Sequence, residues 1–178
     1  QQLGIRTIFN MLGPLLNPAN AEQQLVGVYS QNVFEIYKEV FTKDIKKNIC
    51  LVSGYDGNDE ISLDGINYIY TNNDGIVNFD PKTVDLPRSI TEELKGGNAE
   101  YNAGRIMEMF NGKIDSFYHT VCINVAFGIL LNEKKELNEK NILYALDETK
   151  SLIDSKMPIH VIENLSKFTK DRWQFYKR

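Results

Sequence analysis

Two short runs of apolar residues lie on either side of a segment with helical spacing, and this arrangement constrains the fold more than any other feature. The runs are residues 25–29 and 49–52, and neither alternates with polar residues. Between them, Ser30 is placed to cap a helix over about residues 32–42, where apolar residues recur every three or four positions. Strands that are apolar on both faces are typical of parallel sheets covered by helices. The pattern therefore predicts a βαβ unit and an α/β fold.

Beyond this unit, the sequence predicts a hairpin followed by helices. Two strand-like segments, residues 67–71 and 75–79, are joined by a turn rich in Asn, Asp and Gly, which is a strong hairpin signal. The expected architecture is a mixed, partly parallel sheet flanked by helices. The predicted helices after the hairpin cover residues 90–95, 99–111, 115–132, 138–155 and 159–169.

Size and charge limit the classes of function. The chain has 178 residues, which suits one domain, and a net charge of −4 at pH 7. Proteins that bind nucleic acid through its phosphates are usually basic, so we expect no nucleic-acid partner. A small anionic substrate remains compatible with an acidic chain, because a metal ion or a few well-placed cations can bind it.

The two cysteines and the longest apolar stretch bear on location. Cys50 and Cys122 each lie in an apolar run, with no second Cys at metal-ligand spacing, and we predict that both are buried thiols. The absence of a disulfide pattern favours a cytoplasmic location. Residues 121–131 form the longest apolar stretch, which is too short to span a bilayer and contains Asn124, so we expect no membrane contact.

The acidic pair Asp59-Glu60 is the most informative chemical feature. It follows the second predicted strand after a turn that contains glycines. In open α/β sheets, the loops at the carboxyl ends of strands line the ligand crevice. Two adjacent carboxylates can bind Mg²⁺, which prefers oxygen ligands and often joins carboxylates to substrate phosphates. A solvated turn with spare charge also explains the pair, which is too short a signal to decide between the two interpretations by its spacing alone.

Two glycine-containing segments allow similar pairs of interpretations. Residues 13–18 read GPLLNP, which is either a rigid turn or a stiff wall suited to the face of an aromatic ligand. Residues 95–98 read KGGN, which faintly suggests a phosphate loop but does not match the known spacings. A helix end followed by Asn98 as the cap of the next helix explains KGGN as well.

The histidines and the C-terminal tail are weaker candidates. His119 and His160 have no partner at ligand spacing, and we interpret both as structural or surface residues. Residues 170–178 combine aromatic and basic side chains, which could stack on nucleic acid. The packing of a terminal helix explains the same composition.

Residues 3–19 read LGIRTIFNMLGPLLNPA and resemble the long signature of the anthranilate phosphoribosyltransferases. The resemblance extends to about residue 165. It implies the C-terminal part of a large α/β domain of the nucleoside phosphorylase/phosphoribosyltransferase type. Within it, residues 1–22 would line the substrate, 23–86 would form the βαβ unit and hairpin, and 87–178 would be helical. Further segments resemble the family in the same order, namely residues 24–30, 56–62, 96–98 and 102–103.

The resemblance implies transfer of phosphoribosyl from phosphoribosyl pyrophosphate to anthranilate, with release of pyrophosphate, in tryptophan biosynthesis. Such a reaction depends on positioning and on charge neutralisation more than on a nucleophilic side chain. In the family, the pair that matches Asp59 and Glu60 binds magnesium, so Mg²⁺ is the expected cofactor. Gly13 and Pro14 match positions that line the anthranilate path. The resemblance assigns no catalytic side chain to this chain.

Some family features are altered here, and others are expected before Gln1. The family usually has Thr at the position of Leu16, often Asp at that of Asn98 and often an apolar residue at that of Asn58. Its glycine-rich pyrophosphate loop, its Lys-His-Gly-Asn segment, its helical dimerisation domain and an anthranilate-binding arginine are all expected upstream, so Arg6 is not that arginine. We therefore expect the intact protein to be a homodimer through those helices, and this chain alone to be inactive.

Two other functions compete with this interpretation. A pyrimidine-nucleoside phosphorylase would share the general fold, but the signature of residues 3–19 argues against it. A non-catalytic relative that binds nucleic acid is disfavoured by the acidic balance and by the retained Asp59-Glu60 pair. Turnover of anthranilate, as opposed to thymidine with phosphate or salt-dependent DNA binding, discriminates among the three.

Overall fold

The computed structural model describes residues 9–43, 47–55, 57–89 and 91–176. Arg6 and the first six residues of the signature lie outside this part, as do the side chains of the aromatic and basic tail. Three 3₁₀ helices accompany the longer elements at Gly13–Leu15, Pro81–Val84 and Thr91–Leu94. The strands are β1 (Gln23–Gly27), β2 (Asn48–Ser53), β3 (Asn67–Thr71) and β4 (Gly75–Phe79). The helices are α1 (Phe9–Leu12), α2 (Gln31–Lys43), α3 (Ala99–Phe110), α4 (Ser116–Glu133), α5 (Glu139–Asp154) and α6 (Met157–Tyr176).

The four strands form one mixed sheet in the order β1-β2-β3-β4. β1 and β2 are parallel and are connected through α2, while β2, β3 and β4 pair antiparallel. The predicted βαβ unit, hairpin and mixed sheet are thus confirmed. β1 begins and ends two residues earlier than predicted, although Val28 beyond its end still donates its N–H to the Val52 carbonyl at 2.8 Å.

Each face of the sheet has its own apolar cluster. On one face α2 packs on β1 and β2, with Phe34 and Phe41 almost fully buried. On the other face the cluster centres on α4, which is apolar all around and therefore lies between the sheet and α5. The rings of Phe79 and Phe127 join sheet and helix there, with centroids 5.2 Å apart. This two-sided cover explains why β2, with five of its six residues buried, has no polar alternation.

Side-chain caps fix where the C-terminal helices begin. Asn98, Asp115 and Asn138 each accept a hydrogen bond from the backbone N–H three residues later. The predicted boundaries of α3, α4 and α5 therefore agree with the structure within one residue. The segment predicted as a helix over 90–95 forms only the 3₁₀ helix Thr91–Leu94 in its described part. It is followed at once by the glycines of residues 96–97, which disfavour continuation of a helix.

The last helix begins two residues earlier and ends seven residues later than predicted, and its earlier start places Pro158 inside the first turn. The prediction began the helix after this proline, at residue 159. In the structure α6 begins at Met157, whose N–H donates to the Ser155 hydroxyl at 3.2 Å. A proline in the first turn is tolerated, since its missing N–H would have no partner within the helix.

Both cysteines are buried, as predicted. Cys50 lies on β2 and Cys122 on α4, within the same apolar cluster. Burial raises the pKa of the Cys50 thiol to about 12, and burial also raises the pKa of the Cys122 thiol. Among the described residues, no helix is both long enough and apolar enough to cross a membrane.

Candidate functional site

The acidic pair lies in the loop that leaves the carboxyl end of β2. We name residues 54–62 the acidic loop; the structure describes all of it except Asp56. Asp59 and Glu60 are both exposed, and neither carboxylate has an ion-pair or hydrogen-bond partner among the described residues. The two side chains are therefore free to bind a ligand.

Two glycines allow the backbone of the acidic loop to lie against the sheet. A Cβ atom on Gly27, at the end of β1, would stand 1.7 Å from the Asp59 carbonyl oxygen. A Cβ on Gly54 would stand 2.6 Å from the Glu60 carbonyl oxygen, and the Gly54 N–H donates to the Asn58 carbonyl at 2.8 Å. These contacts leave no room for a side chain at either glycine, so the peptides of the acidic pair are held close to β1 and β2.

Two asparagines hold the two residues that follow the acidic pair. Asn124 on α4 accepts from the Ile61 N–H at 2.9 Å and donates to the Ile61 carbonyl at 3.1 Å. Asn67, at the start of β3, accepts from the Ser62 N–H at 2.7 Å and donates to the Ser62 carbonyl at 2.9 Å. We call this two-bond arrangement an asparagine clamp. Because both peptides are held, the loop presents Asp59 and Glu60 from an ordered backbone.

The acidic pair borders a cleft of about 470 Å³. Its walls are the carboxyl ends of β1 and β2, Leu94 and the first half of α4, including Phe117 and Val121. Asp59 and Glu60 are the only charged residues among those that line it in the described part of the chain. Two adjacent negative charges against apolar walls favour a bound cation.

A second cleft, of about 480 Å³, contains the predicted substrate-lining residues. Gly13 is exposed and begins a 3₁₀ helix with Pro14, and both line this cleft. Its lining among the described residues is uncharged. Leu25 and Gly27 line both clefts, so the Gly13-Pro14 and Asp59-Glu60 pairs, 45 residues apart in sequence, border adjoining spaces at the end of β1.

The segment that carries Gly13 and Pro14 is attached to α2. The Tyr37 hydroxyl donates to the Met11 carbonyl at 2.6 Å, and burial raises the pKa of Tyr37. Met11 and Leu15 also pack against the apolar cluster on that face of the sheet. These contacts attach the described part of this segment to the face of the sheet that α2 covers, and its role in lining the substrate stays a prediction.

The donors at the first cleft fit a hard divalent cation that shares its ligands with a substrate. In the described ranges, no three His, Cys, Asp or Glu side chains come together as a complete metal site. Mg²⁺ commonly takes only one or two carboxylates and completes its octahedron with waters and phosphate oxygens. The unpaired Asp59 and Glu60 match this requirement, whereas a Zn²⁺ site would need more protein ligands.

The hydrogen bonds of residues 95–98, which we name the glycine turn, favour the interpretation of KGGN as a helix end followed by the cap of the next helix. Asn98 accepts from the Tyr101 N–H at 2.8 Å and caps α3. Asn102 clamps Gly97, accepting from its N–H at 2.8 Å and donating to its carbonyl at 3.2 Å. The backbone N–H of Gly97, which a phosphate loop would offer to its ligand, is thus already bonded within the turn.

The histidines stay outside the site. His160 is exposed on α6, 3.7 Å from the Glu163 carboxylate. His119 is partly buried on α4, its Nδ1 has no hydrogen-bond partner, and its pKa is lowered by burial and by Lys150. Neither lines the two clefts at the end of β1.

Sequence reasoning missed the residues that hold the acidic loop. An isolated glycine within a strand-like run signals a close approach of backbone, so Gly27 could have been found. An amide within a long apolar stretch is a weaker signal for Asn124, and its partner lies 63 residues away. Asn67 carries no signal that separates it from an ordinary residue at the start of a strand.

Comparison with known proteins agrees with this fold. Residues 1–151 match the glycosyl transferase family, a/b domain. The chain is 35% identical over 172 residues to the anthranilate phosphoribosyltransferase of Petrotoga mobilis, covering 95% of this chain and 49% of that protein. The anthranilate phosphoribosyltransferase of Thermus thermophilus superposes with a TM-score of 0.73 at 29% identity, covering 86% of this chain and 48% of the other.

The enzyme of Saccharomyces cerevisiae, whose structure contains PRPP and Mg, has the same fold, with a TM-score of 0.76 at 23% identity over 93% of this chain. This chain covers 48% of the Saccharomyces cerevisiae enzyme. The chain thus spans about half the length of the relatives that it matches. These comparisons confirm the predicted α/β fold of the nucleoside phosphorylase/phosphoribosyltransferase type. Since the matched region includes the sheet, both clefts and the acidic loop, the chain belongs to the glycosyl transferase family through its a/b domain.

Proposed function

We propose that the full-length protein containing this chain is an anthranilate phosphoribosyltransferase of tryptophan biosynthesis. It would transfer phosphoribosyl from phosphoribosyl pyrophosphate to anthranilate and release pyrophosphate. The 35% identity to the Petrotoga mobilis enzyme over 95% of the chain supports this reaction. The observation that carries the proposal is the meeting of two clefts at Leu25 and Gly27, one with a free acidic pair and one with uncharged walls.

The chemistry requires a cation beside the diphosphate and a neutral surface beside the aromatic amine. Asp59 and Glu60 would hold Mg²⁺ in the first cleft, in a place where no described side chain offers positive charge. When bound, this ion would neutralise the charge that develops on the leaving pyrophosphate. The apolar side chains of Phe117 and Val121 would exclude water from the carbocation-like C1.

The second cleft would orient anthranilate. Pro14 has a fixed backbone conformation, and Gly13 presents no side chain, so together they form a stiff and flat part of the wall. The cleft is uncharged in its described part, which suits the ring of anthranilate; the carboxylate would need a cation from elsewhere in the full-length protein. The amine would attack C1 directly, so this chain's residues position the reactants and form no covalent intermediate.

The proposal also includes a cytoplasmic location and a homodimer formed through helices outside this chain. We expect light scattering of the full-length protein to give twice the mass of one full-length subunit. We expect these 178 residues alone to show no transferase turnover. Turnover by the isolated chain would contradict the assignment of substrate-binding elements to the remainder of the protein.

Substitution of both residues of the acidic pair tests the metal site directly. Asp59→Asn combined with Glu60→Gln in the full-length protein should lower kcat/KM by at least about 100-fold, the size expected when a metal that stabilises transition-state charge is lost. The measurement is the fall in anthranilate fluorescence as anthranilate reacts with phosphoribosyl pyrophosphate, at several magnesium concentrations.

An identical dipeptide on α5 provides the control. Asp147 and Glu148 are also adjacent and exposed, but they do not line either cleft at the end of β1. Asp147→Asn with Glu148→Gln makes the same change in net charge and should leave turnover within twofold. Equal effects of the two double variants would reject the metal site.

A further inference from the structure

We infer that Asn124 is a positioning residue, which fixes the acidic pair from α4 and so sets its affinity for the divalent cation. The inference rests on the proposed function of Asp59 and Glu60. It adds a residue from a different element, since α4 lies across the first cleft from the strand ends.

The contact between Asn124 and the acidic loop is direct. Its amide forms both bonds of the clamp with Ile61, the residue immediately after Glu60. Ile61 is fully buried, so its peptide groups depend on protein partners, and Asn124 provides one for the N–H and one for the carbonyl. Rotation of this peptide would carry the Glu60 carboxylate with it, and the clamp opposes that rotation.

The amide is also held on its own side. Asn124 Nδ2 donates to the Thr120 carbonyl one turn earlier on α4, at 2.9 Å, in addition to the Ile61 carbonyl. Its two terminal atoms therefore make three hydrogen bonds in total. Side-chain rotation is thus restricted by α4 itself, and the position of Ile61 follows the position of the helix.

Packing alone would not select an amide at this place. The residues on either side of Asn124 on α4, the fully buried Ile123 and the exposed Val125, are apolar, and Asn124 itself is partly buried. An amide in such surroundings costs free energy unless it is fully bonded. Asn124 lines the same cleft as Asp59 and Glu60, so its bonds are made at the site and not in the remote part of the core.

The contacts of Gly27 and Gly54 act before the acidic pair or on its own carbonyls, whereas Asn124 acts immediately after it. Without Asn124, the acidic loop would remain against β1 and β2 and Asn67 would still hold Ser62, but the peptide between Glu60 and Ile61 would lose its hydrogen bond to α4. Two carboxylates that share one cation need a fixed separation, and groups that orient metal ligands affect affinity strongly. Loss of the clamp should therefore weaken cation binding more than it weakens the binding of anthranilate.

Two variants of the full-length protein test this. Asn124→Leu removes the clamp and keeps a side chain of similar size, and Asn124→Ala removes the clamp without adding apolar bulk or charge beside the cleft. Each should raise the magnesium concentration for half-maximal turnover about tenfold, the lower end of the range for residues that orient metal ligands. The Michaelis constant for anthranilate should stay within twofold. Mn²⁺ binding in the presence of inorganic pyrophosphate, followed by electron paramagnetic resonance, should weaken by the same factor.

A control separates positioning from general destabilisation. Thr149 on α5 is buried, and its hydroxyl donates to the Ala145 carbonyl at 2.8 Å, away from both clefts. Thr149→Val should lower thermal stability and leave the magnesium constant unchanged. If Asn124→Leu and Asn124→Ala leave both the magnesium constant and Mn²⁺ binding at the wild-type values, the inference is wrong.

The unmodified protein and the acidic-pair variant complete the test. In the wild-type protein, the Ile61 amide should exchange with solvent at least tenfold more slowly than the Glu60 amide; equal rates would show that no clamp exists. If Asp59→Asn with Glu60→Gln retains wild-type magnesium dependence, the proposed metal site itself fails. If that variant loses the dependence while the Asn124 variants keep it, only the role of Asn124 is rejected.

Discussion

The acidic loop and the glycine turn both contain glycines beside acidic or amide side chains, yet they use those side chains in opposite ways. At the glycine turn, Asn98 bonds to the backbone of α3, and Asn102 in the first turn of α3 bonds back to the backbone of Gly97. In the acidic loop, distant residues hold the backbone, and Asp59 and Glu60 have no partner among the described residues.

This difference separates a structural turn from a binding site. A polar side chain that satisfies its own backbone stabilises the fold and has little capacity left for a ligand. When other elements hold the backbone of a loop, the carboxylates of that loop remain available to bind a ligand. We therefore expect stability at the acidic loop to depend on the distant residues that hold its backbone, and stability at the glycine turn to depend on the nearby side chains of Asn98 and Asn102.

The largest effect should come from Gly27→Ala. The new Cβ would overlap the Asp59 carbonyl, which is backbone and cannot rotate away, so we expect a loss of about 3 kcal/mol in the free energy of unfolding. Urea unfolding of the full-length protein measures it. Gly104→Ala is the control, because Gly104 is inside α3 with open space around it and should gain about 0.5–1 kcal/mol. A neutral Gly27→Ala would mean that the acidic loop does not lie against β1.

Asn67→Ala should cause the second-largest loss in the free energy of unfolding. Asn67 is fully buried and its amide bonds to the backbone of Ser62, Gly65 and Phe79, so its loss leaves several buried groups unpaired. We expect a cost of about 2–3 kcal/mol. Asn102→Ala removes the same two-bond clamp at an exposed position and should cost about 0.5–1 kcal/mol. Equal costs in urea unfolding would remove the distinction between a clamp that is buried and one that is exposed.

Asn98→Ala tests the glycine turn. It removes the cap of α3 and should cost about 1 kcal/mol. Asn98→Asp preserves an acceptor for the Tyr101 N–H and adds favourable charge at the helix start, so its melting temperature should equal or exceed that of the wild type. A loss of magnesium dependence in Asn98→Ala, measured in the transferase assay, would instead assign a ligand role to this turn.

The smallest effect on stability should come from the acidic pair. Without metal, Asp59→Asn with Glu60→Gln should change the free energy of unfolding by no more than about 0.5 kcal/mol, because exposed side chains without partners contribute little. Melting curves recorded with a chelator measure this. A large loss would show that the carboxylates support the fold, and the contrast between the two loops would then fail.

Local patterns in the sequence predicted most of the fold. The apolar runs, the cap residues and the hairpin turn each act within a few residues, and they placed β2, β3, β4 and α3 to α5 correctly. The errors fell where local preference is weak. The end of β1 depends on pairing with β2, and the 3₁₀ helix at Thr91–Leu94 is too short for periodicity to define.

The site was predictable only in part, for a related reason. Asp59 and Glu60 are recognisable because their chemistry is in their side chains. Gly27 and Asn124 act through contacts across 32 and 63 positions of sequence, which a one-dimensional pattern does not contain. The roles of Asp59, Glu60, Gly13 and Pro14 stay predictions, now with a defined arrangement of clefts around them.

Labelling of the two buried cysteines would report opening of the core. A thiol reacts with disulfide reagents only as thiolate and only when accessible, and the raised pKa values of Cys50 and Cys122 add to their burial in suppressing both conditions. Any thiol labelling of these two residues near neutral pH therefore records separation of β2 from α4. Mass spectrometry after timed labelling would then count openings of the sheet–helix interface that supports the acidic loop, with no probe added to the chain.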